Sequence, residues 1–231
     1  MRIYAIDPSL NGFAHMVLED GQSVFSERLD TAGMTGWERI EKIVRRVEQI
    51  LDHPNEIGLP EPEVAGPRFR FDVVVMENYA FSARTNNITR LAEVGGCLKR
   101  AIFTRGYAFG RDAILRQVPV FFVQAQSQMK KFCLANGAQK KDSRYLLEVF
   151  ERIKLSFAND DEADAYMHAW TAGIVVGVIR GTIPLENLTS YQQEALLERG
   201  VKNRKGLSMT KAKKLPPEEQ QKLAMEMEVG A

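Results

Sequence analysis

The sequence predicts an α/β protein built on a mixed β-sheet that is flanked by helices. Three short segments with strand-like alternation come first, and only turn residues separate them. Segments with helical periodicity then alternate with apolar runs of strand length. Three antiparallel strands, followed by strands that are joined through helices, form a mixed sheet whose two faces are both covered.

The elements follow from periodicity and from turn signals. In chain order they are strands at 2–7, 13–18 and 23–29, a helix capped by Thr35, a strand at 71–76, a helix at 87–103, a strand at 117–123, and helices at 142–153 and 161–179. Trp37 is the first apolar position of the helix after Thr35. This order is typical of a ribonuclease H-like fold, although half of an actin-like ATPase has the same order.

Composition and charge divide the chain into a body and a tail. The 231 residues predict one ribonuclease H-like domain at 1–183 and a basic C-terminal extension at 184–231 that is partly helical or flexible. The net charge is +1, but every charged residue from 199 to 214 is Lys or Arg. A slightly acidic body with a basic tail suits a protein that handles a polyanion. A solvated tail without a partner is the alternative.

The sequence predicts a cytoplasmic protein that does not enter a membrane. It contains no apolar run of about 18 residues, and its first residues lack the three regions of a signal peptide. The cysteines Cys97 and Cys133 match no zinc spacing, so we expect buried thiols in a reducing compartment.

Four acidic residues occupy positions where acids are unfavourable. Asp7 and Glu77 end apolar strands, whereas Asp161 and Asp164 open an otherwise apolar helix and project from one face of it. Each acid alone has a structural explanation, such as a turn or the first turn of a helix. Four acids that converge require positive charge, and the sequence therefore predicts a metal site.

The donor set of this site predicts the metal. Carboxylates without clusters of histidine or thiolate favour the hard cations Mg²⁺ or Mn²⁺. Two such ions about 4 Å apart are a common device for in-line cleavage of a phosphodiester. His168 lies one turn after Asp164 on the same helix face. It is either a ligand or general base at the edge of the site, or a buried helix histidine.

Four segments resemble, in order, the motifs of RuvC-type Holliday junction resolvases. They are AIDPSLNG at 5–12, VMENYAF at 75–81, MKKF through GAQKK at 129–141, and NDDEADAY at 159–166. Together they span nearly the whole predicted body. The ENYAF form of the second motif and the divergent tail resemble members that bacteriophages encode.

The resemblance implies specific roles. Asp7, Glu77, Asp161 and Asp164 would be the catalytic carboxylates and would hold two Mg²⁺ ions, with Mn²⁺ able to substitute. A homodimer would nick two strands of a four-way DNA junction symmetrically, in recombination or repair of branched DNA. The expected DNA-binding residues are Tyr79 or Phe81 at the crossover, Arg84 in the polar loop that follows, and Lys130 and Lys141 near the scissile phosphate, for which the adjacent Lys131 and Lys140 could substitute.

Other functions fit parts of the sequence. A nuclease of the same fold could act on other branched DNA, on flaps or on RNA–DNA hybrids. An actin-like-fold phosphotransferase could use residues 7–12 as a phosphate-holding turn, and a non-catalytic junction-binding protein is the last alternative. For the helix at 87–103, we expect its apolar stripe, which includes Leu98, to form part of a dimer interface near Gly95 and Gly96. The rival interpretation is that this stripe packs on the protein's own sheet.

Overall fold

The computed structural model describes residues 1–9, 12–58, 71–78, 87–109, 111–116, 118–135 and 143–203. Its strands are β1 (Arg2–Asp7), β2 (Phe13–Glu19), β3 (Gln22–Leu29), β4 (Val73–Asn78), β5 (Ala108–Phe109) and β6 (Val120–Ala125). Its α-helices are α1 (Gly36–Asp52), α2 (Asn87–Thr104), α3 (Arg111–Leu115), α4 (Gln126–Leu134), α5 (Ser143–Ile153), α6 (Asp160–Ile179) and α7 (Ser190–Asn203). Within those ranges, no helix combines the length and the apolar character that a membrane span requires.

The six strands form one mixed sheet in the order β3-β2-β1-β4-β6-β5. β1, β2 and β3 pair in antiparallel fashion, whereas β1 with β4, β4 with β6, and β5 with β6 pair in parallel. The predicted mixed sheet is confirmed. The sequence did not predict β5, α3 or α4, because β5 has only two residues and α4 follows β6 without a turn residue between them.

Side-chain alternation along the strands divides the core into two clusters, one on each face of the sheet. On β1, Ile3 and Ala5 belong to the cluster that includes α6, while Tyr4 and Ile6 belong to the cluster that includes α1 and α2. Because strand side chains alternate with a period of two, Asp7 continues the first series and points to the α6 face. The fold therefore assigns the acid at the end of β1 to one face before any polar contact forms.

Helix α6 covers the face of the sheet on which the acids lie. After its acidic first turns it is mostly apolar on all sides, as expected for a helix that is buried between other elements, and it contacts β1, β2, β4, α4 and α5. Asn159 caps it: the side-chain oxygen accepts the backbone N–H of Glu162 at 2.9 Å, and the side-chain amide donates to the Glu162 carboxylate at 3.1 Å. This cap fixes where the helix begins, and so places Asp161 in its first turn and Asp164 one turn later.

The described part of the C-terminal extension packs on the body. Leu185, Leu188 and Ala195 are buried in the same core cluster as α6, and α7 contacts α4. The domain boundary at 183/184 stays a prediction. Removal of everything after Pro184 would expose core side chains, so a test of the basic tail has to leave α7 intact.

The expected dimer contact at Leu98 is wrong. Leu98 and Ile102 are fully buried in the chain's own core beside Ile43 of α1, so the rival interpretation holds for these two positions. A dimer contact elsewhere on this helix stays a prediction. An apolar stripe indicates that a helix face is covered, but it does not indicate which element covers it. At Leu98, α1 and the sheet do so. Trp37, expected at the apolar face of α1, is 71% exposed.

Substitution at Leu98 should therefore affect folding. We expect Leu98→Ala to lower the free energy of unfolding by about 2–5 kcal/mol, because it leaves a cavity in the core. Gly96→Ala on the same helix meets open space and should raise that free energy by about 0.5–1 kcal/mol. Urea denaturation measures both. A Leu98→Ala protein of unchanged stability but weaker self-association would restore the interface assignment.

Candidate active site

The carboxyl ends of two neighbouring parallel strands bring the first two acids together. In the β1–β4 register, Ile6 pairs with Met76, so Asp7 and Glu77 are the next residues on adjacent strands. Both lie an even number of positions from core residues of the α6 face, Ala5 on β1 and Val75 on β4. Their side chains therefore emerge side by side beneath α6.

Asp164 of α6 completes a group of three carboxylates. One oxygen each from Asp7, Glu77 and Asp164 lie within 4.8 Å of one another. Asp164 is fully buried and Asp7 is 4% exposed, while Glu77 reaches partly toward solvent. We call these three residues the acidic trio. Like charges this close inside a protein repel strongly, and a cation bound among them would relieve that repulsion.

Three side chains from outside the trio contact Asp164. The Tyr145 hydroxyl of α5 donates to Oδ1, and Gln126 Nε2 of α4 donates to Oδ2 at 2.8 Å. Lys130 Nζ of α4 lies 3.3 Å from the same Oδ2 and 4.6 Å from the centroid of the Tyr145 ring. Lys130 is itself buried. Its single ammonium group can offset one of the three negative charges.

Tyr145 acts as a fixed proton donor in this arrangement. Burial first, and then the negative charge of Asp164, raise the pKa of its hydroxyl well above the ordinary value. The hydroxyl therefore keeps its proton throughout the physiological range. Asp164 Oδ1 is consequently held in one orientation by a donor that does not titrate.

Asp161, the fourth predicted acid, is held at the edge of the site by an arginine. Arg28 Nε of β3 donates to Asp161 Oδ2 at 2.9 Å, although 133 residues separate the two in the chain. Gly12 makes room for this pair, because a Cβ at residue 12 would overlap the Asp161 carboxylate and lie 2.6 Å from Arg28 Nη2. The structure thus brings three of the four predicted acids into the trio and pairs the fourth with Arg28.

His168 lies against the trio. Its ring is fully buried, with Nδ1 3.0 Å from Gln124 Oε1 of β6 and Nε2 3.5 Å from Glu77 Oε2. The β4–β6 register pairs Glu77 with Gln124, so both residues face α6 at the same level of the sheet. The sequence left two possibilities open, a buried helix histidine or a residue at the edge of the site. His168 is buried on α6 and also lies beside Glu77 of the trio.

Most of the predicted DNA-binding residues lie outside the described ranges: Tyr79, Phe81, Arg84, Lys140 and Lys141. Lys131 is half-buried on α4, and Lys130 contacts Asp164 from that helix. In the chain, Tyr79 comes two residues after Glu77. The contacts of these residues with DNA stay predictions.

Sequence reasoning missed Arg28, Gln126 and Tyr145. Gln126 had a usable signal, because polar residues follow the apolar run of β6 at the strand end where ligands of parallel sheets bind. Arg28 and Tyr145 had none: one lies in a polar edge strand and the other on the apolar side of an amphipathic helix. Their roles depend on tertiary contacts that periodicity does not specify.

The donor chemistry of the trio fits a hard divalent cation. Carboxylate oxygens from rigid elements are the ligands that Mg²⁺ and Mn²⁺ prefer. Two of the three ligands are buried, and hydrogen bonds hold both oxygens of Asp164 in place. Such supporting contacts are typical of metal-ligating carboxylates.

Comparison with known proteins agrees with this description of the fold. No family model and no curated protein matches the chain. Several solved structures do match, among them one of Thermus thermophilus RuvC and one of T. thermophilus RuvC in complex with Holliday junction substrate. Each has a TM-score of 0.53 and 20% sequence identity, and the match covers 79% of this chain and 98% or 97% of theirs. The chain therefore has a RuvC-like fold of the ribonuclease H-like class, which confirms the predicted fold.

Proposed function

We propose that this protein is a divalent-metal-dependent endonuclease that nicks four-way DNA junctions. The observation that carries the proposal is the acidic trio, which lies beneath α6 at the ends of two parallel strands. The substrate class is supported by the T. thermophilus RuvC structure, which was solved in complex with Holliday junction substrate. The four sequence motifs support the same assignment.

The residues that would hold the metal are Asp7, Glu77 and Asp164, with Asp161 at the rim. A bound Mg²⁺ or Mn²⁺, or a pair of such ions, would lower the pKa of a water molecule and withdraw charge from the phosphodiester. The acids themselves are the ligands in this proposal. A phosphodiester carries a negative charge that three carboxylates alone would repel, and cleavage should therefore stop when the metal is removed.

The surrounding residues position the ligands. Tyr145 and Gln126 bind opposite oxygens of Asp164, so this carboxylate cannot rotate freely. Lys130 lies beside Oδ2 and reduces the repulsion within the trio. Catalytic groups require such support, because a displacement of about 1 Å can lower the rate of an enzyme a hundredfold.

The Arg28–Asp161 pair would control the net negative charge beside the metal ligands. While Arg28 Nε binds Asp161, the guanidinium offsets the charge of that carboxylate. The arginine side chain is 43% exposed, which leaves it accessible to a phosphate group. In our proposal, Asp161 turns toward the metal when substrate binds, and Arg28 then contacts the DNA backbone.

The proposal includes a homodimer, because symmetric nicking of two strands requires two active sites. It places the protein in the cytoplasm, which would be that of a bacterial host if a bacteriophage encodes the chain. Tyr79 or Phe81 would contact bases at the crossover, and Arg84, Lys131, Lys140 and Lys141 would contact phosphates.

A nicking assay tests the assigned function. With Mg²⁺, the protein should nick a four-way junction in preference to linear duplex, flaps or RNA–DNA hybrids, and EDTA should stop the reaction. Asp7→Asn and Glu77→Gln should each lower the nicking rate more than about a hundredfold, because loss of even an indirect metal support costs 10–100-fold. Junction affinity should stay close to normal, since removal of negative charge does not weaken phosphate binding.

Asp160→Asn is the matched control for these variants, because Asp160 precedes Asp161 on α6 but does not belong to the trio. It should nick at nearly the rate of the unmodified protein. If Asp7→Asn nicks at that rate too, the active-site assignment is wrong.

The role of Arg28 is tested by metal binding without DNA. We expect Arg28→Gln to raise the apparent affinity for Mn²⁺ several-fold, because the Asp161 carboxylate, without the guanidinium beside it, then adds negative charge near the trio. Isothermal titration with Mn²⁺ provides the measurement. Arg45→Gln makes the same change in net charge at an exposed pair with Glu41 on α1, and should leave the affinity unchanged. Equal effects of the two variants would contradict a specific role for Arg28.

The basic tail should add affinity without selecting structure. Truncation after Asn203 keeps α7 and removes five basic residues, with no acid among them, between 204 and 214. It should weaken binding to duplex and junction alike, because phosphate attraction does not depend on DNA structure. The salt dependence of log affinity should flatten by about one unit for each DNA phosphate that the shortened protein no longer binds. The nicking rate at saturating DNA should not change. The control for chain length is a full-length chain in which Lys211, Lys213 and Lys214 are changed to Gln. Loss of junction selectivity in either protein would contradict a tail that adds affinity without selecting DNA structure.

A further inference from the structure

Among the residues that the structure describes, none forms a hydrogen bond with one of the two imidazole nitrogens of His168, which lies beside the acidic trio. Gln124 Oε1 is an acceptor, so the 3.0 Å contact with Nδ1 places a proton on that nitrogen. In the neutral ring, Nε2 then carries a lone pair. Within the described part of the chain, Nε2 is fully buried and has no hydrogen-bond partner. Buried polar atoms of this kind are rare, and each calls for an explanation.

A carboxylate of the trio lies close to this nitrogen. Nε2 lies 3.5 Å from Glu77 Oε2, which is an ion-pair distance only if the ring is protonated. In the neutral ring, the lone-pair nitrogen and the carboxylate oxygen are two electron-rich atoms 3.5 Å apart, and a cation bound by both would offset their repulsion. A distance of 3.5 Å also suits two atoms that ligate one ion, because ligand distances of about 2.0–2.2 Å separate neighbouring ligands by about 2.9–3.6 Å.

We infer that His168 Nε2 is a nitrogen ligand of the metal site. It would bind the same ion as Glu77, its neighbour in the trio. This inference rests on the proposed metal site. Gln124 has a positioning role: by accepting the Nδ1 proton, it fixes the tautomer in which Nε2 is free to bind metal. Metal-ligating histidines generally donate their other ring N–H in this manner.

A nitrogen ligand changes which metal the site prefers. Carboxylate oxygens suit Mg²⁺ and Mn²⁺ alike, whereas imidazole suits transition metals. His168 should therefore raise the affinity for Mn²⁺ relative to Mg²⁺. A set of three carboxylates without this histidine would discriminate less.

Electron paramagnetic resonance of Mn²⁺ bound to the full-length protein tests this inference. Pulsed spectra should show coupling between the manganese electron spin and a directly bound imidazole nitrogen. Labelling of histidine with ¹⁵N should change that coupling, which identifies the nitrogen without any substitution. The chain has only three histidines. His15 belongs to a separate network, with Nδ1 2.9 Å from the Tyr4 hydroxyl and Nε2 2.9 Å from Glu27.

Substitutions assign the signal to one residue. His168→Gln should abolish the nitrogen coupling and weaken Mn²⁺ binding about tenfold or more, with a smaller effect on Mg²⁺. His53→Gln, at an exposed position after α1, is the matched control and should keep both the coupling and the affinity. Gln124→Leu should keep the coupling but weaken Mn²⁺ binding. Circular dichroism checks that each variant is folded, and the ¹⁵N experiment decides the question if His168→Gln does not fold.

The outcomes separate this inference from the proposed function. If Mn²⁺ binds and Asp164→Asn removes it, but no nitrogen coupling is observed, His168 is not a ligand and pairs with Glu77 through a proton. The trio would then stand as a metal site without it. If Mn²⁺ binding does not depend on Asp7 or Asp164, the proposed metal site fails, and the inference about His168 fails with it.

Discussion

Repulsion among three carboxylates is the constraint on which the rest of the structure depends. Oxygens of Asp7, Glu77 and Asp164 lie within 4.8 Å of one another. At this separation two unit charges repel by about 3–4 kcal/mol at an effective dielectric constant of about 20. Two parallel strand ends and a capped, buried helix hold the acids together against this repulsion. Such an arrangement is unfavourable without a bound cation and would become favourable when a cation binds.

Each contact around the trio either offsets part of the negative charge or fixes the orientation of a carboxylate. Lys130 brings one positive charge to Asp164, and Tyr145 and Gln126 donate to its two oxygens. Arg28 pairs with Asp161, and the absence of a side chain at Gly12 leaves space for the pair. These residues come from β3, α4 and α5, so the packing of three elements around α6 determines the electrostatics of the site. A fold of this kind can tune metal affinity without any change in the ligands.

Sequence patterns predicted the parts of the site that depend on local periodicity. Strand ends identified Asp7 and Glu77, and the spacing of three identified Asp161 and Asp164. Long-range contacts could not be predicted, because neither the pairing of Arg28 with Asp161 nor the position of Tyr145 leaves a periodic signal. The same limit explains the error at Leu98: the apolar stripe of α2 indicates a covered face, but at this position α1 and the sheet cover it rather than a second subunit.

Crystals soaked in Mn²⁺ test the central claim most directly, because anomalous scattering locates the metal independently of catalysis. The account predicts a peak beneath the N-terminal part of α6, about 2.0–2.4 Å from oxygens of Asp7, Glu77 and Asp164. A peak at other acidic residues of the surface, with the trio free of metal at Mn²⁺ concentrations that support nicking, would contradict the account.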